Sequence, residues 1–438
     1  MRDFPLHTGL SILTTGALLF ALKLMPVPGG APAPTPVPRR MGPEAISSPS
    51  PAPSLAPAAP QPVFDDSRDS LDAFYRALSR TEAREADAVT RIVHYGDSPT
   101  TADLITGDVR ALLQARFGDA GHGFLLVTKP WAWYQHAGVE LSGSGWKALP
   151  ASHFVAQDGC FGLGGVTFTG GASAVTHIRF EKGSYTSFEL WFLRQQGGGA
   201  VKVIADGAAI GTVDTAGDVK EPGFAAFDAA APASSLELRV TQGKARVFGV
   251  SAARPGPGLV YDSLGLNGAS VTVLTRMFNE PHWAAELQHR KPDLVIVNYG
   301  TNEADFPDFV EKQYEKELRA AIRRLRDALP DCSLLIMSPM DRGHKTGPGQ
   351  IETMATIPRI VEIQRRVARE TGCGFFDTLQ AMGGPGTMAR WYTAQPRLVS
   401  ADFIHPYPAG GKIIAQVIVH EFVAGLERYK SRHSTALR

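Results

Sequence analysis

The sequence predicts an α/β fold that is interrupted by an inserted all-β domain. Three observations support this prediction. The apolar run 91–95 stops at Gly-Asp-Ser and precedes a helical stretch, as at the opening of an α/β unit. Residues 143–256 alternate apolar and polar positions between turn residues, without a helical period. From about Pro257 the α/β pattern returns, with the nearly continuous apolar run 293–299 that is typical of a buried parallel strand.

Residues 1–25 have the pattern of a signal peptide or membrane anchor. The stretch from Leu10 to Leu22 carries no charge and is shorter than the roughly 20 residues that span a bilayer comfortably. Residues 26–63 are rich in Pro, Ala and Ser, a composition typical of a semi-extended linker. We therefore expect an exported protein of the periplasm or cell envelope, either cleaved after the N-terminal segment or anchored to the membrane by it.

The folded part of the chain is expected to begin at residue 64. Residues 64–142 are predicted to form the first part of the α/β domain. Apolar side chains recur at helical spacing between Leu71 and Leu78, which predicts an amphipathic helix. A second helix is expected over residues 102–117, after the strand and turn around residues 91–98.

The inserted domain, residues 143–256, is predicted to be a β-sandwich or jelly roll, because short alternating runs are separated by Gly and Asp turns. Residues 257–438 are expected to complete the α/β domain. Its further strands are predicted at 293–299, 333–337 and 374–377, and its further helices at 309–328, 357–370 and 409–429.

Composition excludes several classes of function. The formal net charge is +1 and no long run of like charges occurs, so we expect no nucleic-acid partner. The three cysteines, Cys160, Cys332 and Cys373, are too few for a disulfide framework and too scattered for a zinc site. Buried small hydrophobic residues are the favoured interpretation, with the disulfide state of Cys332 and Cys373 left open. No metal or organic cofactor is expected.

A candidate nucleophile follows the first strand of the α/β domain. Ser98 stands in the run HYGDSP, and Gly96 two residues earlier permits a tight turn. Sites in open α/β sheets form at the carboxyl ends of strands. A Gly-Asp-Ser tripeptide is common in ordinary turns, so the interpretation of Ser98 depends on the motifs elsewhere in the chain.

Asp402 and His405 are spaced so that a carboxylate can fold back onto an imidazole. An Asp three residues before a His can accept a hydrogen bond from Nδ1, which leaves Nε2 as a base for a serine. A surface loop with a helix-capping Asp shows the same spacing. The pair becomes informative when it is combined with a candidate nucleophile.

Two further loops offer hydrogen-bond donors for an oxyanion. Asn302 comes directly after the apolar run 293–299, so its amide lies at a strand end. Gly268 stands in the run LGLNGA, where a backbone N–H can approach a ligand because no Cβ intervenes. Losing one such donor costs about 3 kcal/mol of transition-state stabilisation. Each loop taken alone is also compatible with a simple turn.

The ordered set of a Gly-Asp-Ser, a glycine loop, a Gly-x-Asn and an Asp-x-x-His resembles the four sequence blocks of the SGNH/GDSL hydrolases. The resemblance covers residues 90–118 and about 258–425, and it implies a three-layer α/β/α sandwich with a parallel sheet. It implies that Ser98 is the nucleophile, His405 the base and Asp402 its orienting partner. The residues that it implies for the oxyanion hole are Ser98, Gly268 and Asn302.

The chain departs from the family pattern in two blocks, since the third reads Gly-Thr-Asn-Glu and the first lacks a Leu after the serine. With the inserted β domain and the expected export, the chain looks most like the periplasmic peptidoglycan O-acetylesterases, in which the inserted domain is carbohydrate-binding-like. This implies a serine esterase whose partner is an O-acetylated polysaccharide, foremost peptidoglycan. Two alternatives remain: an O-acetyltransferase or an esterase of another glycan or lipid, and a non-catalytic glycan-binding protein.

The run KPWAWY, residues 129–134, is a candidate surface for sugar rings. Aromatic faces can stack on sugars, but the same residues are also compatible with the protein core. The core is the favoured interpretation.

Overall fold

The computed structural model describes residues 62–66 and 68–435. The predicted N-terminal segment, and the linker up to residue 61, lie outside the described residues. Residues Ala59–Arg438 form one compact unit. The strands are, in chain order, β1 (Phe64–Asp65), β2 (Val89–Gly96), β3 (Gly121–Leu125), β4 (Val139–Pro150), β5 (Val166–Phe180), β6 (Tyr185–Arg194), β7 (Ala200–Ala205), β8 (Ala208–Asp214), β9 (Glu221–Ala233), β10 (Ser235–Gln242), β11 (Ala245–Ala253), β12 (Gly258–Gly265), β13 (Leu294–Asn298), β14 (Ser333–Met337), β15 (Gly343–Gly347), β16 (Gln350–Thr353) and β17 (Gly374–Phe376).

The helices surround one of the sheets, and short 3₁₀ and π turns connect some of them. The helices are α1 (Asp72–Glu82), α2 (Ser98–Thr101), α3 (Thr106–Phe117), α4 (Glu280–Arg290), α5 (Glu315–Ala328), α6 (Thr356–Thr371), α7 (Thr378–Ala381), α8 (Thr387–Thr393) and α9 (Pro408–Thr435), with one further turn at Pro307–Phe309.

The sheet that carries the candidate site has six strands in the order β1-β17-β14-β13-β2-β12. All neighbouring strands are parallel except β1, which pairs antiparallel with β17 at the edge. Successive residues of a strand face opposite sides of a sheet. Ile92 accordingly packs in the core cluster with α1, α3 and α9, whereas Val93 belongs to the cluster with α4, α5 and α6. The predicted three-layer α/β/α sandwich is confirmed.

The second large sheet is antiparallel and lies between β2 and β12 in the chain. Its order is β8-β7-β10-β5-β11-β6-β9, with β3 added on β11 and β4 added on β5. The alternating burial along β10 (Ser235–Gln242) matches the alternation that predicted strands here. The inserted β domain is therefore confirmed as a fold. Its boundaries at 143 and 256 stay a prediction, since β3 begins at Gly121 and β4 at Val139.

A buried carboxylate joins the two sheets. Asp262 of β12 accepts a hydrogen bond from the N–H of Phe124 in β3 at 2.7 Å, and it pairs with Arg290 of α4 at 2.6 Å. Asp262 is fully buried, so loss of Arg290 would leave an unpaired buried charge. The contact ties the antiparallel sheet to the edge strand of the parallel sheet.

The helix predicted over residues 102–117 begins later than expected. After α2 the chain turns at Asp103, whose φ of 53° lies in the left-handed region and interrupts the helix. The carboxylate of Asp103 accepts hydrogen bonds from Thr106 and from Arg110 at 2.5 Å and 2.6 Å. These contacts stabilise the turn, so α3 starts at Thr106.

Among the described residues, Pro408–Ser434 is the helix that is long and apolar enough to cross a membrane by length and composition. In the fold it packs on the parallel sheet, where Ile414, Ile418 and Phe422 are buried and Phe422 meets Phe74 edge-on at 5.3 Å. The three cysteines are buried and not joined by disulfides.

Candidate active site

The end of β2 presents Ser98 at the edge of the parallel sheet. Ser98 is the first residue of α2, and its side chain is largely buried. A Cβ at Gly96 would lie 2.2 Å from Oγ1 of Thr100, which is far below van der Waals contact. Only glycine allows α2 to turn back this closely onto the end of β2. This steric requirement explains the glycine of the Gly-Asp-Ser block.

The three residues predicted as a catalytic triad form one chain of hydrogen bonds. Oγ of Ser98 lies 2.7 Å from Nε2 of His405, and Nδ1 of His405 lies 2.7 Å from Oδ2 of Asp402. The two ring nitrogens therefore contact different partners, as the sequence predicted. This is the geometry in which an imidazole can take the proton of a serine hydroxyl while a carboxylate orients the ring.

The other oxygen of Asp402 is held by its own loop. Oδ1 accepts hydrogen bonds from the N–H groups of Ile404 at 2.9 Å and His405 at 3.1 Å, and from the hydroxyl of Ser400. Burial raises the pKa of the Asp402 carboxyl, but the hydrogen bonds from His405 and Ser400 outweigh it and hold that pKa well below its usual range. Asp402 is thus an anion at neutral pH.

Phe403 gives this loop its shape. Its φ is 58°, an unfavourable value for an aromatic residue, and its side chain is buried against Tyr392 with ring centroids 4.9 Å apart. The turn at Phe403 aims the N–H groups of the next two residues at Asp402. Burial of the ring offsets the backbone strain at a place where the strain orients the candidate base.

Sheet register brings the two predicted oxyanion loops beside Ser98. Gly96 pairs with Gly265 of β12 on one side and with Asn298 of β13 on the other. Gly268 follows three residues after Gly265, with a φ of 68° that favours glycine. The N–H of Leu266 donates to the carbonyl of Gly96 at 2.9 Å, which fixes the start of this loop against the serine loop.

Asn302 is positioned by a contact with the neighbouring loop. Its Nδ2 donates to the carbonyl of Ala269 at 2.8 Å, which uses one of the two amide hydrogens. Asn298, the other asparagine of the same run, donates to the carbonyls of Met337 and Ser338, both at 3.1 Å. Asn302 therefore keeps a donor for a ligand, whereas the amide of Asn298 holds strand ends together.

Glu303 is a site residue whose role the sequence did not predict. Its side chain is buried, and Oε1 accepts the N–H of Val271 at 2.8 Å, so the carboxyl holds the loop that follows Gly268. Burial raises the pKa of Glu303 to about 7. The Glu that departs from the usual family pattern is the signal that marks this position.

Asp97, next to the serine, is buried under the site. Burial raises the pKa of its carboxyl to about 6, against a hydrogen bond with Thr301 that lowers it. Oδ2 of Asp97 has no hydrogen-bond partner among the described residues. Asp97 thus lies between the serine loop and the loop of Asn302. Among the described residues, its carboxylate makes no hydrogen bond with Ser98 Oγ or with His405.

A hairpin that the sequence did not predict braces the base loop and the loop of Asn302. At the start of β15–β16, Arg342 donates to the carbonyl of Thr301 at 2.5 Å and pairs with Asp305 at 2.7 Å. The next residue, Gly343, donates its N–H to the carbonyl of Phe403 at 2.9 Å. Two consecutive residues therefore position one oxyanion loop and the loop of the base.

The aromatic run 129–134 divides between core and surface. Tyr134 is buried in the core, as favoured from sequence. Trp133 is partly exposed, and its Nε1 donates to Oδ1 of Asn267 at 3.2 Å, directly before Gly268. His153, which sequence reasoning did not single out, approaches Gly268 from the loop after β4.

No group of three or more His, Cys, Asp or Glu side chains that could hold a metal ion occurs among the described residues. The site has the groups that acyl transfer requires: a hydroxyl, a base, an orienting carboxylate and oxyanion donors. The fold and the site together point to an acyl-transferring hydrolase.

Comparison with known proteins agrees with this class. Residues 237–413 match the GDSL-like lipase/acylhydrolase family, a range that includes Gly268, Asn302, Asp402 and His405 but not Ser98. The chain thus carries a GDSL-like acylhydrolase domain over these residues, which supports an esterase activity. No curated protein matches the chain by sequence.

One solved structure shares the fold, and a second gives a much lower score. A peptidoglycan O-acetylesterase superposes with a TM-score of 0.72 at 22% identity, over 84% of this chain and 100% of that chain. A family two carbohydrate esterase from Clostridium thermocellum, solved with cellohexaose, gives a TM-score of 0.29 at 10% identity, over 64% of this chain and 99% of that chain. The first similarity extends through both sheets of the fold.

Proposed function

We propose that this esterase removes O-acetyl groups from a polysaccharide of the cell envelope, and that peptidoglycan is its substrate. The chain of two 2.7 Å hydrogen bonds from Ser98 through His405 to Asp402 is the observation that carries this proposal. The choice of substrate is supported by the similarity to a peptidoglycan O-acetylesterase over the whole of that chain. The inserted β domain, which a minimal esterase does not need, supports a polymeric substrate.

In the proposed reaction, Nε2 of His405 takes the proton of Ser98 as Oγ attacks the acetyl carbonyl carbon. The oxyanion accepts hydrogen bonds from the N–H groups of Ser98 and Gly268 and from the amide of Asn302. His405 then gives its proton to the departing sugar oxygen, which leaves an acetyl-Ser98 ester. Water attacks this ester by the same route, so acetate leaves and Ser98 regains its proton. Asp402 stays ionised throughout and stabilises the imidazolium.

The proposed location is the periplasm or cell envelope. The uncharged stretch Leu10–Leu22 and the proline-rich residues 26–63 support export, with either a cleaved signal or a membrane tether. A tether with a semi-extended linker would let the folded part reach a polymer away from the membrane.

The test measures acetate released by the full-length protein and its Ser98→Ala variant from O-acetylated peptidoglycan, acetylated xylan and a small aryl acetate. We expect release from peptidoglycan that falls at least 10⁴-fold, to about the background rate, in Ser98→Ala. Release from xylan or the aryl acetate alone would overturn the substrate. No serine-dependent release from any of the three would overturn hydrolysis, and acetyl transfer to an added oligosaccharide would then identify a transferase.

A further inference from the structure

The loop after β4 brings an imidazole from the antiparallel sheet to the oxyanion loop. If Gly268 had a Cβ, the nearest atoms to it would be Cε1 and Nε2 of His153, at 3.7 Å and 3.8 Å. His153 therefore lies on the side of Gly268 where a side chain would project. Its ring would be at ordinary van der Waals distance from a Cβ at that position. Its side chain is exposed, so a ligand bound at Gly268 from the solvent side meets the ring of His153.

His153 is held in this orientation by its own loop. The N–H groups of His153 and Phe154 donate to the carbonyl of Pro150 at 3.2 Å and 3.0 Å. The N–H of Ala151 donates to the carbonyl of Gly165, directly before β5, at 2.9 Å. The hydroxyl of Ser152 lies 2.7 Å from Nδ1 of His153. Nδ1 therefore has a partner within its own loop. Nε2 is the ring nitrogen that lies near Gly268.

Two tryptophans complete the same edge of the site. Trp133 is fixed beside Gly268 by its 3.2 Å hydrogen bond to Asn267. The ring of Trp131 lies 6.4 Å from that of His153, at an angle of 44°. Both indoles are partly exposed. Trp133 and His153 thus lie beside the loop of Gly268, with Trp131 behind His153, and all three come from segments outside the catalytic motifs.

This combination suits a sugar ring. A pyranose has apolar C–H faces that pack on indole rings and hydroxyls at its edge that need hydrogen-bond partners. The edge near Gly268 offers the indole of Trp133 and a hydrogen-bonding nitrogen from His153, with Trp131 packed beside His153. None of these three side chains is an acid or a permanent cation, so recognition of a charged group by an ion pair is not the chemistry that they supply.

We propose that Trp133 and His153 form the subsite that receives the sugar ring bearing the acetyl ester, with the ring packed on Trp133 and a ring substituent bonded to Nε2 of His153. This inference rests on the proposed function and names the residues through which it selects a glycan. The inserted sheet then acts at the reaction centre itself, because His153 comes from the loop between two of its strands, β4 and β5.

The test measures how a soluble glycan competes for the site. The full-length protein hydrolyses a small aryl acetate in the presence of chitotetraose, a chain of N-acetylated sugars without O-acetyl esters. We expect competitive inhibition, and an inhibition constant that rises about tenfold in His153→Ala and in Trp133→Ala, because one lost hydrogen bond or one lost aromatic contact of about 1.4 kcal/mol is a tenfold change.

His177→Ala is the matched control. His177 is an exposed histidine of the same sheet that lies 3.5 Å from Glu237, and we expect its variant to have the inhibition constant of the unmodified protein. Thermal unfolding of each variant shows that it is folded. No inhibition of the unmodified protein, or inhibition constants of His153→Ala and Trp133→Ala within twofold of it, would overturn the subsite. Acetate release from peptidoglycan reports separately on the proposed function.

Discussion

The proposed nucleophile and oxyanion donors are held by a different kind of structure from the proposed base. Ser98, Gly268 and Asn302 follow β2, β12 and β13, which pair residue by residue so that their loops leave the sheet at one level. Asp402 and His405 lie between α8 and α9, in a loop whose ladder contact is the isolated bridge from Val399 to Pro406. The first group is positioned by the sheet, and the second by a few side-chain and turn contacts.

This difference indicates which substitutions would disturb the geometry of the site. The register of the sheet is fixed by many backbone hydrogen bonds. Substituting one side chain there removes a reacting or donating group but leaves the loops of the other site residues in place. The base loop depends on Ser400, Phe403 and the carboxylate of Asp402 itself, so one change there alters both orientation and charge. Substitutions in the two regions should therefore differ in the property that they change as well as in the size of their effect on kcat.

The largest effect is expected for Asp402→Asn. An amide at this position would offer an N–H to Nδ1 of His405 and favour the wrong tautomer, so we expect kcat to fall about 10⁴-fold. The measurement is aryl acetate hydrolysis. Ser400→Ala removes one of several donors to the same carboxylate and should cost about tenfold or less. Equal losses in the two variants would show that the loop, and not the carboxylate charge, is what matters.

Asn302→Ala tests the sheet-held side. We expect kcat to fall about 10²- to 10³-fold with little change in KM, because the amide donates to the oxyanion of the transition state. Asn298→Ala is a matched control on the same strand end. It should lower thermal stability through its lost bonds to Met337 and Ser338 and have a smaller effect on kcat. A reversed order of the two kcat losses would contradict the assignment of Asn302.

The smallest effect concerns the pH dependence of stability through Glu303. Its pKa rises from 4.5 to about 7 on folding, because burial disfavours the anion, and the buried Asp97 acts in the same direction. The folded state thus binds more protons than the unfolded state between these pH values, so the free energy of unfolding falls as pH rises from 4.5 to 7.

Glu303→Gln keeps an oxygen for Val271 and cannot ionise, so this loss should be absent from the variant. Thermal unfolding of both proteins at pH 5 and pH 8 measures the difference. We expect the variant to gain relative stability at the higher pH. An equal pH dependence in the two proteins would show that Glu303 does not titrate in this range.

Much of the site could be predicted because each motif carries its own local cause. Gly96 is needed for the turn before Ser98, and the spacing of Asp402 and His405 lets the carboxylate reach the ring within one loop. The apolar run of β13 predicted a buried parallel strand, which placed Asn302 at a strand end. These features depend on neighbours in sequence, which is the information that a pattern contains.

The missing parts depend on contacts between distant segments. The hairpin with Arg342 and Gly343 has a polar sequence without clear alternation, so no periodicity marks it. Glu303 acquires its role from Val271 across two loops. His153 becomes part of the site only because the loop after β4 folds back onto Gly268, and a lone histidine in an inserted domain gives no sign of this.

The order of the site residues along the chain decides when activity can begin. Ser98 and His405 are separated by 307 residues, and the whole antiparallel sheet lies between them. A ribosome making this protein completes the nucleophile loop 307 positions before the base. Contacts between such distant segments form late and slowly. A chain that stops between these two positions therefore contains the proposed nucleophile without its base, and we expect esterase activity only after the loop of His405 has been made.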